Sequence, residues 1–333
     1  MRIIPTLAVA ALIASVTSGQ NPTVLQFAHT EGDQNMQEIA TAVRTIADIK
    51  ETSVDLAHKT LTLNATPDQI KLAQWIFNQF DAPDTASRAK REFQMPGASE
   101  NLVQLYFLKN AATIQDFQEI ATSVRTVADI RRVFTYNAPR GLVLRGTPDQ
   151  LALAEWLLGE LDQPVDSHTA AVHEYRMASG FDHDEGTVRV FYLTHTSTTQ
   201  AFQEVATATR TIADIRRVFT YNAARAMVVR SNPDAVALAA WLVDQLDTQN
   251  TGAPRQASPI YTYQTPYRDE GVAIRVFFLN HAGNVEDFQR AATQVRTTAN
   301  IRRVFTYNGP RALVVRGTTD QLAVAEQLVK DIE

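Results

Sequence analysis

The sequence predicts an α+β fold built from four tandem copies of one small module, each in the order strand, helix, strand, strand, helix. Three observations predict it. A six-residue motif recurs along the chain, as Arg-Thr-Ile-Ala-Asp-Ile from Arg44 and Arg210, Arg-Thr-Val-Ala-Asp-Ile from Arg125 and Arg-Thr-Thr-Ala-Asn-Ile from Arg296, with successive starts 81, 85 and 86 residues apart. Within a copy the apolar residues switch in order between a period of two and a period near 3.6. Turn and helix-cap residues fall where the period changes.

Taken from the N-terminus, Arg2, an apolar run from Ile3 to Val16 and the small residues Thr17, Ser18 and Gly19 have the form of a cleaved signal peptide over residues 1–19. The run is short of the ~20 residues a membrane span needs. An uncleaved anchor or a disordered apolar N-terminus is the alternative.

The second copy shows the module most clearly. Val103, Leu105 and Phe107 alternate with Gln104 and Tyr106 as a strand. Phe117, Ile120, Ala121 and Val124 then lie at i, i+3, i+4 and i+7, an amphipathic helix that Arg125 closes, since a cation suits the negative helix end. Ile130 to Tyr136 is β-branched and aromatic, Asn137-Ala138-Pro139-Arg140 is a turn, and Leu142 to Arg145 is the return strand. Gly146 breaks that strand. Thr147 and Pro148 suit the N-cap and first position of a second helix, whose stripe is Leu151, Ala154, Trp156, Leu157, Leu158 and Leu161 and which Asp162-Gln163-Pro164 stops. A three-stranded sheet with both helices on one face buries these stripes.

The modules so defined span residues 22–81, 90–163, 173–247 and 260–333. The first is divergent, with Lys50-Glu51-Thr52-Ser53-Val54-Asp55-Leu56 where the others carry Arg-Arg-Val-Phe-Thr-Tyr-Asn at Arg131–Asn137, Arg216–Asn222 and Arg302–Asn308. The linkers Ala82–Ala98, Gln163–Gly186 and Thr248–Val272 each contain a short aromatic piece: Glu92-Phe93-Gln94, Glu174-Tyr175-Arg176 and Tyr261-Thr262-Tyr263. Such a piece is expected to add an edge strand to the following module or to strap two modules together. A period near 85 is long for a solenoid, so beads on a string are expected. A unit of this size is marginal alone and gains from packing on neighbours or other chains.

Composition narrows the function. With 45% hydrophobic and 20% charged residues among 333, the chain is that of a soluble globular protein, and no later stretch reaches transmembrane length. A net charge of −5 argues against nucleic acid as the main partner. There is no cysteine, which excludes disulfides, thiol catalysis and Cys-ligated zinc.

The stretch Leu108-Lys-Asn-Ala111, the helix Phe117–Val124, Tyr136-Asn137, Leu142–Gly146, Thr147-Pro148-Asp149, the run Leu151–Leu161 and Asp162-Gln163-Pro164 resemble the N-terminal periplasmic modules of secretins. Those are outer-membrane channel proteins of type II and type III secretion and type IV pilus systems. The resemblance covers each repeat, and its motifs are packing and turn positions. It implies a KH-like module that stacks into rings in the periplasm, touches partner proteins and carries no catalytic residue. The sequence ends at Glu333 in the fourth copy's last helix without a glycine-rich channel region, so channel formation by this chain alone is not expected.

Catalytic chemistry has no foothold in the residues. No nucleophile elbow, zinc-protease helix, phosphate loop or dinucleotide fingerprint is present, and neither a cofactor nor a metal site is expected. Of seven histidines, His195 and His281 fall near one another in the repeat, one position apart, and are expected in surface loops. Asp182-His183-Asp184-Glu185 has metal-ligand residue types but occurs once, in a linker, and is expected to be solvated. RNA binding of the KH kind needs a Gly-x-x-Gly loop, which is missing.

The candidate interaction surface is the repeated strand: Arg131, Arg132, Phe134 and Tyr136 in the second copy, Arg216, Arg217, Phe219 and Tyr221 in the third, and Arg302, Arg303, Phe305 and Tyr307 in the fourth. Along a strand the second Arg, the Phe and the Tyr share one face, and Arg, Tyr and Phe are enriched at interfaces. Two readings stay open. These residues complete a small core with Arg stems laid over apolar surface, or the face not covered by the module's helices packs on another module or a partner. The expected function is protein–protein interaction or assembly in the cell envelope with protein partners, self-association among them. A binding module for an envelope glycan or peptide is the alternative.

Overall fold

The computed structural model describes residues 22–83, 89–97, 99–167, 172–177, 185–249, 251, 253–263 and 272–333. The expected signal peptide and Asp182-His183-Asp184 lie outside the described residues. The chain divides into two compact units, Met1–Asp84 and Thr85–Glu333.

The first unit is one module: β1 (Thr23–Gln26), α1 (Asp33–Ala47), β2 (Glu51–Asp55), β3 (Thr60–Asn64) and α2 (Pro67–Phe80). Its antiparallel sheet has the order β1-β3-β2. The second unit holds the other three. The second module comprises β4 (Arg91–Gln94), β5 (Leu102–Phe107), α3 (Ile114–Val127), β6 (Arg132–Tyr136), β7 (Gly141–Gly146) and α4 (Pro148–Leu161). The third comprises β8 (His173–Arg176), β9 (Thr187–Tyr192), α5 (Thr199–Ala213), β10 (Arg217–Tyr221), β11 (Ala226–Ser231) and α6 (Pro233–Leu246). The fourth comprises β12 (Tyr261–Tyr263), β13 (Val272–Phe278), α7 (Val285–Thr298), β14 (Arg303–Tyr307), β15 (Ala312–Gly317) and α8 (Thr319–Ile332).

The recurring six-residue motif is a helix terminator. Its Asp or Asn takes the left-handed conformation, φ 57° at Asp48, 55° at Asp129, 60° at Asp214 and 50° at Asn300, which these two residue types tolerate better than most. The Ile that follows is buried and donates its N–H to the carbonyl of the motif's Arg, as Ile130 does to Arg125 at 2.9 Å. The helix therefore runs past the Arg, to Val127 in the second module. The second helices begin with the expected caps. Thr66, Thr147 and Thr318 form capping boxes with Gln69, Gln150 and Gln321, and each of these Gln amides also reaches the carbonyl of the left-handed Asp or Asn, at 2.7, 2.7 and 2.8 Å.

Two expectations need correction. The sheets of the second to fourth modules have four antiparallel strands, not three, in the orders β4-β5-β7-β6, β8-β9-β11-β10 and β12-β13-β15-β14. The linker pieces supply the extra edge strand, because the first strand of the module has an otherwise unpaired edge that a short extended segment can satisfy. Nor are these three modules beads. One apolar cluster joins Phe117, Ile120, Val124 and Leu157 of the second module to Val190, Tyr221 and Val228 of the third. Another joins Phe202, Val205 and Leu242 of the third to Ile274, Tyr307 and Val314 of the fourth. Two helices cover only one face of a sheet, and in the third and fourth modules the preceding module supplies cover for the other.

Candidate interaction surface

In the third and fourth modules the repeated strand faces the module before it. The face of β10 and β11 that carries Phe219, Tyr221, Ala226 and Val228 packs on α3, and the corresponding face of β14 and β15 packs on α5. Tyr221 and Tyr307 are buried, and Phe219 and Phe305 partly so.

A repeated polar frame surrounds each apolar contact. Glu119 on α3 accepts the backbone N–H and the side-chain amide of Asn222, both at 2.8 Å. Glu204 on α5 accepts the same two groups from Asn308, at 2.9 and 3.0 Å. At the other end of the helix the free carbonyls, which carry the negative end of its dipole, meet guanidinium groups. Arg217 donates to Thr126 O at 2.9 Å, and Arg230 donates to Val127 O. In the next joint Arg303 pairs with Asp214 at 2.9 Å and reaches Thr211 O, while Arg316 donates to Ile212 O. The second Arg of the pairs in the third and fourth modules thus grips the helix terminus. Arg131, Arg216 and Arg302, the first of each pair, are exposed and stand outside the frame.

The titratable groups record this burial. Burial pushes the Tyr221 phenol up to about 12, with Asp116, Asp162 and Glu119 of the second module adding to the effect. Tyr307 is likewise pushed up to about 12 by burial, followed by Asp247 and Glu204. Burial, followed by the charge of Arg217, lowers the guanidinium of Arg230 from its usual range. The hydrogen bond from Arg303 holds Asp214 below the ordinary carboxylate range.

The edge strands β8 and β12 act as straps. Tyr175 on β8 meets Trp156 of α4 with ring centroids 5.4 Å apart, and Tyr261 on β12 meets Trp241 of α6 at 5.1 Å. Tyr192 adds a hydrogen bond to Glu160 O at 2.9 Å, and His173 faces the Glu160 carboxylate at 2.6 Å. In the second module Arg132, Phe134 and Tyr136 share the corresponding face of their own sheet, and Arg132 forms an ion pair with Glu100 of the same module.

The histidines occupy a structural loop. His195 and His281 do not fall one position apart; they coincide, and His29 joins them. Each donates its backbone N–H to the carboxylate that ends the module's second helix: His29 to Asp81 at 3.0 Å, His195 to Asp247 at 2.9 Å and His281 to Glu333 at 3.1 Å. Asp162 plays the same part for Lys109 and Asn110. The residue read from sequence as a helix stop is therefore also the tie that closes the loop after the first strand. Glu185, at the end of the acidic linker run, pairs with Arg217 at 3.0 Å and accepts from Arg230 through its carbonyl.

What sequence reasoning missed is the receiving face on the helices. Glu119 and Glu204 stand at one repeat position, with the small residues Ser123 and Ala208 one turn on and the aliphatic residues Val127 and Ile212 a further turn on. The recurrence of an acidic, a small and an aliphatic residue four apart, off the main apolar stripe, was the available signal.

No family model matches the chain, and no curated protein matches it. Among solved structures it is similar to Aeromonas hydrophila ExeD, at 14% identity over 89% of this chain and 59% of that one, with a TM-score of 0.17. It is also similar to the ETEC pilotin–secretin AspS–GspD complex, at 14% identity over 71% and 38% with a TM-score of 0.17. The type II secretion system secretin GspD of E. coli K12 is similar at 12% identity over 68% and 39%, with a TM-score of 0.16. Among the described residues, no helix is long and apolar enough to cross a membrane.

Proposed function

We propose that this chain is an exported, non-catalytic protein of the cell envelope that works by protein–protein interaction or assembly. The joint between modules carries the reading. Side chains of interface character, Arg217, Phe219, Tyr221 and their counterparts in the fourth module, fix one module on the next through an apolar centre and a polar frame. A stack with set geometry is what a scaffold requires. The rings of Tyr221 and Tyr307 lie inside joints rather than along an open groove, which favours assembly over glycan or peptide binding. Arg131, Arg216 and Arg302 recur at one position of the second, third and fourth modules, all exposed, and are the row we assign to a protein partner. The resemblance of the repeat to secretin N-modules supports a periplasmic setting.

The test is photo-cross-linking in cells from positions 131, 216 and 302, with the exposed Lys71 of α2 as control, followed by fractionation. Adducts with an envelope protein from the three positions and not from the control, in the periplasmic fraction, are expected. A chain retained in the cytoplasm, or one equally free of adducts at all four positions, would count against the reading.

A further inference from the structure

The joint follows a rule in residues, and the rule is broken on the sheet of the first module and on α7 of the fourth. On the helix side, α1, α3 and α5 carry Glu38, Ala42 and Ile46, then Glu119, Ser123 and Val127, then Glu204, Ala208 and Ile212 in one register. In α7 the same three positions hold Arg290, Gln294 and Thr298, all exposed. On the sheet side, strand pairing places Glu51, Ser53 and Asp55 of β2, and Thr62 and Asn64 of β3, where the third module has Arg217, Phe219, Tyr221, Val228 and Arg230. Leu56 stands in place of Asn222. Glu51, Ser53, Asp55 and Asn64 are exposed.

Each change removes a specific part of the joint. Arg290 would set a guanidinium against the N–H and amide donors that Glu119 and Glu204 accept, leaving donor facing donor. Gln294 fills space that Ser123 and Ala208 leave for close approach of the sheet. Thr298 withdraws aliphatic surface. On the other side Glu51 would point a carboxylate at the carbonyl end of a helix, where Arg217 and Arg303 donate. Ser53 and Asp55 supply none of the apolar area of Phe219 and Tyr221.

We propose that these two faces are end caps that reject a further module of this kind, so that the chain does not lengthen by adding copies of itself head to tail. Repeat arrays need polar outer faces on their terminal units to stay soluble. Here the cap is written into the docking positions themselves. One pairing works in the opposite sense: Arg290 of one copy and Asp55 of another have opposite charges and would meet at the same end of such a contact. Both already have local partners, Glu286 and Asp287 for Arg290 and His58 for Asp55.

Sedimentation velocity of the full chain over a rising concentration series tests the proposal. The expected result is one species whose sedimentation does not shift. Two repaired chains then test the rule: one carrying Arg290→Glu, Gln294→Ala and Thr298→Ile, the other carrying Glu51→Arg, Ser53→Phe, Asp55→Tyr, Leu56→Asn, Thr62→Val and Asn64→Arg. Mixed, they are expected to form a one-to-one pair, while neither pairs with the unaltered chain. Association of the unaltered chain that Arg290→Gln or Asp55→Asn abolishes would overturn the proposal and make the faces a joint of reversed polarity. Failure of the repaired chains to pair, with both folded by circular dichroism, would also overturn it. If the six-fold sheet variant does not fold, the concentration series and the two single variants decide the matter alone.

Discussion

Replacing Glu204 by Ala isolates the polar frame of one joint. The carboxylate accepts two N–H donors of Asn308, at 2.9 and 3.0 Å, in a half-buried setting between α5 and β14. Hydrogen bonds to a charged group contribute about 1.5–3 kcal/mol each, and half-burial places these near the lower end. The loss of both, with the Asn308 donors left partly desolvated, is expected to cost about 2–4 kcal/mol. Arg290 occupies the same repeat position in α7, where it is exposed, so Arg290→Ala is expected to stay within about 0.5 kcal/mol of the parent. A double-mutant cycle with Asn308→Ala removes only the side-chain amide, since the backbone donor survives, and its coupling should be about 1 kcal/mol. Urea unfolding gives the free energies, and native-state hydrogen exchange locates the loss at β14 and β15. Equal costs for Glu204→Ala and Arg290→Ala would refute the assignment of the frame to the joint.

Other outcomes follow from the same geometry. Tyr221 and Tyr307 have folded-state pKa values raised to about 12 from 10.0, so their stabilising effect is complete below pH 10 and is lost as pH rises from 10 to about 12; Tyr221→Phe and Tyr307→Phe should flatten the alkaline fall in stability, and an unchanged fall would count against burial as the cause. Asp247→Ala removes the acceptor of three backbone N–H groups, at Thr194, His195 and Thr196, and should cost about 2–4 kcal/mol with loss of exchange protection in that loop. Trp241→Ala should cost about 3 kcal/mol, with a coupling of about 1 kcal/mol to Tyr261→Ala, and zero coupling would dismiss the strap.

Much of the module was legible because local chemistry and fold agree. Phe117, Ile120 and Val124 marked a helix, and Thr147 and Pro148 marked a helix start, since the same few residues decide both. The edge strand was less legible. Glu174-Tyr175-Arg176 has one ring and no alternation long enough to choose between an edge strand and a strap; pairing with β9, 11 to 17 residues further on, makes it a strand. The candidate strand was visible through its repetition, but its target was not. Glu119 and Ser123 look like ordinary solvated positions on an amphipathic helix until a sheet is laid on them, and that sheet belongs to residues about a hundred positions further on.

That separation orders events in time. As the chain emerges N-terminus first, the second module can close its helices on its own sheet, yet Ser123 and Val127 gain their cover only when β10 and β11 arrive. The third module waits on the fourth in the same way. The second and third modules therefore each leave one surface unfinished for as long as the successor takes to appear, the interval in which a holding factor has something to grasp. The fourth, whose α7 surface is already hydrophilic, leaves no such interval behind it.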